Sequence, residues 1–205
     1  MSMSIAASSA RKGWTAAEWR ELPDDRNRYE IIGGDLFVTP APMPPHQRLV
    51  GELFLSLHAY ANAHRIGDAL MSPADIELGD DTVVQPDIFV ARLVNGKVSL
   101  RWEDLGPLLL AIEVLSPGTA RVDRTIKRSS YQRAGIPEYW IVDGDARVVE
   151  RWRPADDRPE VLADRLEWQP DPAFPPLVIE LDALFAAALG SNGIRGYTGI
   201  HPSRT

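Results

Sequence analysis

Cysteine is absent from the 205 residues, which excludes disulfides, thiolate zinc sites and a cysteine nucleophile. A reducing compartment suits such a chain, and a cytoplasmic location is the expectation. No apolar run approaches the ~20 residues that a membrane-spanning helix needs. Residues 1–12 are small and polar, end in Arg11 and Lys12, and lack the apolar stretch of a signal peptide. Residues 1–13 therefore read as a disordered lead-in. Positive charge is scarce, with a net charge of −7, which argues against a histone-like binder that grips nucleic acid by field alone. It does not exclude a nuclease, because a metal site is itself built of carboxylates. There is no Gly-x-Ser-x-Gly elbow and no histidine near Ser116 in the chain, so a serine hydrolase is disfavoured. No Gly-Lys-Ser/Thr follows Gly33-Gly34, so those glycines mark a hairpin turn and not a phosphate loop.

What is present suits one domain, residues 14–190, followed by a loose Gly-rich tail, residues 191–205. An apolar fraction of 44% is enough for a sizeable core. Thr15 and Glu18 have capping-box spacing and start a short helix ending near Leu22-Pro23. Tyr29–Ile32 and Asp35–Thr39 flank Gly33-Gly34 as a β-hairpin. Four prolines fall between Pro40 and Pro45, which predicts an extended connector. Leu49, Val50, Leu53, Phe54, Leu57 and Ala61 recur at helical spacing, so His46–His64 is an amphipathic helix, stopped by Gly67. Ala69–Leu78 and Val83–Ala91 read as strands around the turn Gly79-Asp80-Asp81, and Val94–Trp102 as a loop or minor hairpin. Leu108–Leu115 is apolar except for Glu113, the pattern of a central strand covered on both faces. A helix over Val122–Ala134, strands over Glu138–Val142 and Val148–Trp152, a strand over Leu177–Leu181 and a helix over Asp182–Leu189 complete the chain. The expected class is α/β.

Glu113 is the anomaly, because a carboxylate inside a buried strand costs several kcal/mol or more unless it is paired or metal-bound. A salt bridge to Lys127 or Arg124 is the plain explanation. Gln85-Pro86-Asp87, however, puts a second carboxylate at the start of an apolar strand. Alone, Asp87 would be a turn aspartate after proline. Together the two match what a magnesium ion takes, namely carboxylate oxygens and water. Asp123, Lys127 and Tyr131 are four apart and share a helix face, on a helix that can pack back over the Glu113 strand. A solvent-facing lysine paired with Asp123 is the competing reading. Trp140 and Trp152 are expected in the core, and Tyr131 either there or lining a groove.

In order along the chain come Tyr29-Glu30-Ile31-Ile32-Gly33-Gly34-Asp35-Leu36, His46, Gln85-Pro86-Asp87 and Glu113-Val114-Leu115-Ser116-Pro117. Lys127, Tyr131 and Gly135-Ile136-Pro137-Glu138-Tyr139-Trp140-Ile141-Val142-Asp143 follow. This ordered set, spanning about Trp14 to Trp152, resembles the Uma family of restriction-endonuclease candidates within the PD-(D/E)XK nuclease superfamily. The resemblance implies a restriction-endonuclease-like core: a central mixed β-sheet flanked by helices, preceded by the N-terminal helix and hairpin. It implies Asp87 and Glu113 as metal ligands for Mg²⁺, with Mn²⁺ as a substitute. It also implies Lys127 as the catalytic lysine, moved onto the helix, since Leu115 stands where the superfamily usually has lysine. Glu30 matches a further acidic position, against the alternative of a solvent-facing strand glutamate. His46 matches a recurrent histidine, against the alternative of a helix N-cap.

On that basis the expected function is metal-dependent hydrolysis of DNA phosphodiester bonds. The backbone carbonyl of Val114 would be a third protein ligand to the metal. Arg121, Arg124 and Arg128 would contact phosphates, since Arg121–Arg133 holds five basic residues against one acidic, a local +4. A symmetric homodimer is the arrangement to test, because cutting both strands commonly takes two sites. Two other readings remain open. One is an inactive nuclease fold that binds DNA or a protein partner, and the other is an interaction protein using a sheet edge.

Overall fold

The computed structural model describes residues 13–23, 27–39 and 42–190; the lead-in through residue 12 and the tail from residue 191 lie outside them. A capping box between Thr15 and Glu18 opens α1 (Ala16–Trp19). The hairpin β1 (Arg28–Ile32) and β2 (Asp35–Thr39) pairs Glu30 with Phe37. Helix α2 runs Pro44–His64. Pro44 and Pro45 belong to its first turn and not to the connector, because a first-turn residue has no intrahelical N–H bond to lose. Arg65, at φ 52°, takes the left-handed position that ends α2. Gly67 is instead the first residue of β3 (Gly67–Met71).

The two long strands expected over residues 69–78 and 83–91 are each broken in two. They form β3, β4 (Ile76–Gly79), β5 (Thr82–Val84) and β6 (Ile88–Arg92). Pro73 and Pro86 sit at the breaks, where a residue without an N–H cannot continue a ladder. The halves go to different sheets. One sheet has the order β2-β1-β5-β4, and the central one has the order β10-β9-β8-β7-β6-β3. The hydroxyl of Ser72 donates to the Pro86 carbonyl at 2.6 Å, and the Ser72 N–H to the Asp87 carbonyl at 3.1 Å. The two crossings are thereby tied together, at the seam between the sheets.

Strand β7 (Leu108–Val114) is buried at every residue, as its apolar run predicted. It pairs antiparallel with β6 and parallel with β8 (Glu138–Asp143), which makes the central sheet mixed. β9 (Val148–Trp152) follows β8, and β10 (Glu160–Leu162) closes that edge. β10 and β11 (Arg165–Trp168), which were not expected, lie in a charged stretch; β11 pairs with β12 (Leu177–Glu180). α5 (Leu181–Leu189) packs with α2 on one face of the central sheet, over Ile88, Val90, Leu110, Ile112, Val114 and Trp140. The other face carries Phe89, Ala111, Tyr139 and Ile141, covered by the small sheet and by Tyr131. Side chains alternate along a strand, so Ile112 and Val114 point to α2 while Glu113 points to that second side.

The helix expected from Val122 begins earlier. α3 (Ala120–Val122) runs into a π-helical turn, Asp123–Lys127, and then into α4 (Arg128–Arg133). Among the described residues no helix is long and apolar enough to cross a membrane.

Candidate active site

Five elements converge on the seam. β1 brings Arg28 and Glu30, two residues apart and so on one face of the strand. The Pro86 crossing sets Asp87 at the head of β6, beside Glu113 on β7. The π-turn supplies Asp123 and Lys127, and the first turn of α2 supplies His46.

The lysine is the hub. Lys127 Nζ lies 2.9 Å from Glu113 Oε1, 2.9 Å from Glu30 Oε1 and 3.6 Å from Asp123 Oδ1. It is 3% exposed, so the reading of a solvent-facing lysine is overturned. Glu30, at 2% exposed, is likewise not on a solvent face, and its Oε1 also accepts from the Gln85 N–H at 2.7 Å. Glu113 Oε1 accepts a second bond, from the Tyr131 hydroxyl at 3.1 Å. The salt bridge that would explain Glu113 exists, to Lys127 and not to Arg124, and it lies inside the cluster.

Asp87 is held by three donors. Arg28 Nη1 is 3.0 Å from Oδ1, while the Val114 N–H at 2.8 Å and His46 Nε2 at 3.0 Å meet Oδ2. Met43 is the N-cap of α2, so His46 is a partner of Asp87 and not a cap. Arg28 was not singled out in the sequence. Its guanidinium also faces Glu30 Oε2 at 3.6 Å and Glu113 Oε2 at 3.7 Å. The usable signal was its place two residues before Glu30 on the same strand.

Burial and charge set these groups apart. Burial alone would raise the Asp87 carboxyl, but the His46 bond and the Arg28 charge hold it well below the usual carboxylate range. Burial opposes ionisation of Glu30 too, and Arg28 and Lys127 reverse this and lower it. Glu113 goes the other way: burial raises it well above its ordinary value, beyond what Lys127 recovers. Asp123 is raised, first by burial. For Lys127 burial works against the charge, but Glu113 and Glu30 outweigh it and raise the ammonium above its usual value. As formal charges, the four carboxylates Glu30, Asp87, Glu113 and Asp123 oppose the two cations Arg28 and Lys127, a surplus of two negative charges.

That surplus, and an all-oxygen donor set, fit a hard divalent cation at Asp87 and Glu113. So does the buried Asp123 Oδ1, a carboxylate oxygen left without a hydrogen bond among the described residues. As the side chains stand, no three His, Cys, Asp or Glu residues among those described are placed to close on one ion. The protein's own cations occupy the carboxylate oxygens. The cluster is nearly closed, and only Arg28 (22% exposed) and His46 (11%) open it to solvent. A cleft of about 460 Å³ lined by Gly33, Thr82, Ser130 and Arg133 includes none of these groups.

The basic residues of the helix are not equivalent. Arg121 is exposed. Arg124 is bound to Asp143 at 2.8 Å and Glu150 at 2.7 Å. Arg128 lies 4.7 Å from the Trp152 ring centroid and donates to Gln132 Oε1 at 2.7 Å. A phosphate contact by Arg124 or Arg128 would therefore compete with internal partners.

The fold is a mixed α/β one with a central six-stranded sheet, and Asp87 and Glu113 lie side by side where that sheet meets the small one. The chain belongs to the Uma2 family, "Putative restriction endonuclease", whose model matches residues 16–182. Its fold is similar to the crystal structure of a protein from Anabaena variabilis described as "a putative nuclease belonging to DUF820". That similarity has a TM-score of 0.67 at 23% identity over 86% of this chain and 99% of the other. At that identity the likeness speaks for the fold alone. No curated protein matches the sequence.

Proposed function

We propose that the chain is a Mg²⁺-dependent endonuclease hydrolysing phosphodiester bonds in DNA. The observation that carries the reading is the buried ammonium of Lys127, 2.9 Å from Glu113 and Glu30, in a cluster shared with Asp87. Family membership supports the same reading. Asp87 and Glu113, with the Val114 carbonyl, would hold the metal, with Mn²⁺ as a substitute. A metal bound there would make a water acidic enough to attack phosphorus and would neutralise charge on the phosphate. Lys127 orients the attacking water, or sets its charge against the developing negative charge. Glu30 and Asp123 keep that ammonium in place. His46 and the Val114 N–H fix the Asp87 carboxylate so that its oxygens do not reorient. Of the three arginines expected to meet phosphate, Arg121 is the exposed one, without internal partners like those that hold Arg124 and Arg128 among the described residues, and it is available for a backbone contact that positions DNA without reading sequence. A homodimer would place two such sites on the two strands.

The test is calorimetric titration of Mg²⁺ and Mn²⁺ into the wild type, Asp87→Ala and Glu113→Ala, with plasmid nicking on the same samples. Binding and nicking in the wild type, both lost in the variants, is the expected result. No metal binding by the wild type would refute it. A second reading, a nuclease fold that binds DNA or a protein without cutting, is favoured by one observation: the cations already seated on the carboxylates. Metal binding without nicking on any DNA would support it.

A further inference from the structure

Arg28 is poorly satisfied for a residue so central. An arginine that serves only as a structural partner presents its planar fork to a carboxylate, with two parallel hydrogen bonds. Among the described residues Arg28 makes one, Nη1 to Asp87 Oδ1 at 3.0 Å. Its Nε and Nη2 are buried with no hydrogen bond, standing 3.6 Å from Glu30 Oε2 and 3.7 Å from Glu113 Oε2. Its position is a compromise among three carboxylates that no single one captures. Two of them, Asp87 and Glu113, are the pair assigned above to the metal. The side chain starts at the first residue of β1 and is 22% exposed, against 6% for Asp87, 4% for Glu113 and 2% for Glu30. It is therefore the member of the cluster with a way out.

Resting on the metal reading proposed above, we infer that Arg28 is a built-in, displaceable cation. It holds the Asp87–Glu113 site together without metal and yields the place to a divalent ion by swinging toward solvent. The physical reason is charge. With Arg28 inside, the four carboxylates carry a surplus of two. With Arg28 outside the surplus is three, which a doubly charged ion offsets better than the single charge it replaces. Arg28 and the metal thus compete for the same oxygens, and the affinity measured for the wild type includes the work of moving Arg28.

Two measurements decide this. In calorimetric titrations with Mn²⁺, Arg28→Gln should bind about tenfold more tightly than the wild type, while Arg28→Lys, which keeps a competing charge, should stay near wild-type affinity. Equal or weaker binding by Arg28→Gln would overturn the inference. The second uses the unaltered chain and so does not depend on a variant folding. Phenylglyoxal labelling of Arg28, read by peptide mass mapping, should rise several-fold when Mn²⁺ is added. Labelling unchanged by Mn²⁺ in a chain that binds the ion would overturn the inference while leaving the metal site intact. If the wild type and Arg28→Gln both fail to bind Mn²⁺, the metal reading and this inference fall together.

Discussion

Glu113 and Lys127 are opposite charges in one buried cluster, yet they stand differently toward stability. The cluster has two carboxylates more than its two cations balance, and burial puts much of that cost on Glu113, whose carboxyl is raised well above its ordinary value. A raised folded-state value means that the stabilising contribution is complete below the unfolded value and is lost as pH rises. Metal-free Glu113→Gln should therefore be more stable than the wild type at neutral pH, by about 1 kcal/mol or more. The difference should disappear below about pH 4.5. Denaturant melts across pH would show it, and a Glu113→Gln protein less stable at neutral pH would mean the carboxylate is held favourably. Lys127→Met takes away a cation that three carboxylates share, so it should cost about 3–5 kcal/mol in the same melts. The Glu113 outcome is what a site kept for chemistry predicts, since stability and function pull in opposite directions at that residue.

Elements place these residues with small irregularities. The π-turn at Asp123–Lys127 is one; such turns insert a residue into an α-helix and recur at functional sites. Here it brings Asp123 Oδ1 and the Lys127 ammonium onto the Glu113 side of the sheet. The Pro73 and Pro86 crossings are another, because Asp87 heads β6 only where the chain leaves the small sheet. β3 must then lie close against β6. A Cβ on Gly67 would sit 2.7 Å from the Ala91 carbonyl oxygen and 2.8 Å from Val90 Cγ1. Gly67→Ala should cost about 1–3 kcal/mol in chemical denaturation, by overpacking the β3–β6 pair. A neutral substitution would show that β3, an edge strand, gives way freely.

Seen whole, the molecule carries −7, so the DNA binding proposed above cannot rest on overall field and would have to be local. Arg121 and Arg124 separate the two kinds of arginine. In metal-free DNA-binding titrations by anisotropy, Arg121→Ala should weaken binding on every sequence and lower the salt slope by about one. Arg124→Ala should act on the fold, since Arg124 joins the helix to Asp143 and Glu150, costing roughly 1 kcal/mol for a half-exposed pair. Unchanged affinity and slope in Arg121→Ala would move the DNA-facing surface elsewhere.

Local patterning carried most of the secondary structure. The capping box at Thr15, the hairpin around Gly33-Gly34, the stripe of α2 and the unbroken burial of β7 follow from spacing and turn chemistry that act over a few residues. Asp87 and Glu113 were legible as members of the cluster because a charge in an apolar run needs a reason, and Lys127 because it shares a helix face with Asp123 and Tyr131. What the sequence left open needed contacts between distant residues. β10 and β11 are strands through pairing within a charged stretch and not through apolar alternation. Whether Glu30 faced solvent, whether His46 capped α2, and whether Lys127 pointed in or out depended on the small sheet and α2 closing over the seam. Arg28 had the right strand period but nothing local to mark it. Its role arises only where β1 meets β6 and β7, since burying a charge gains meaning from the opposite charges brought around it.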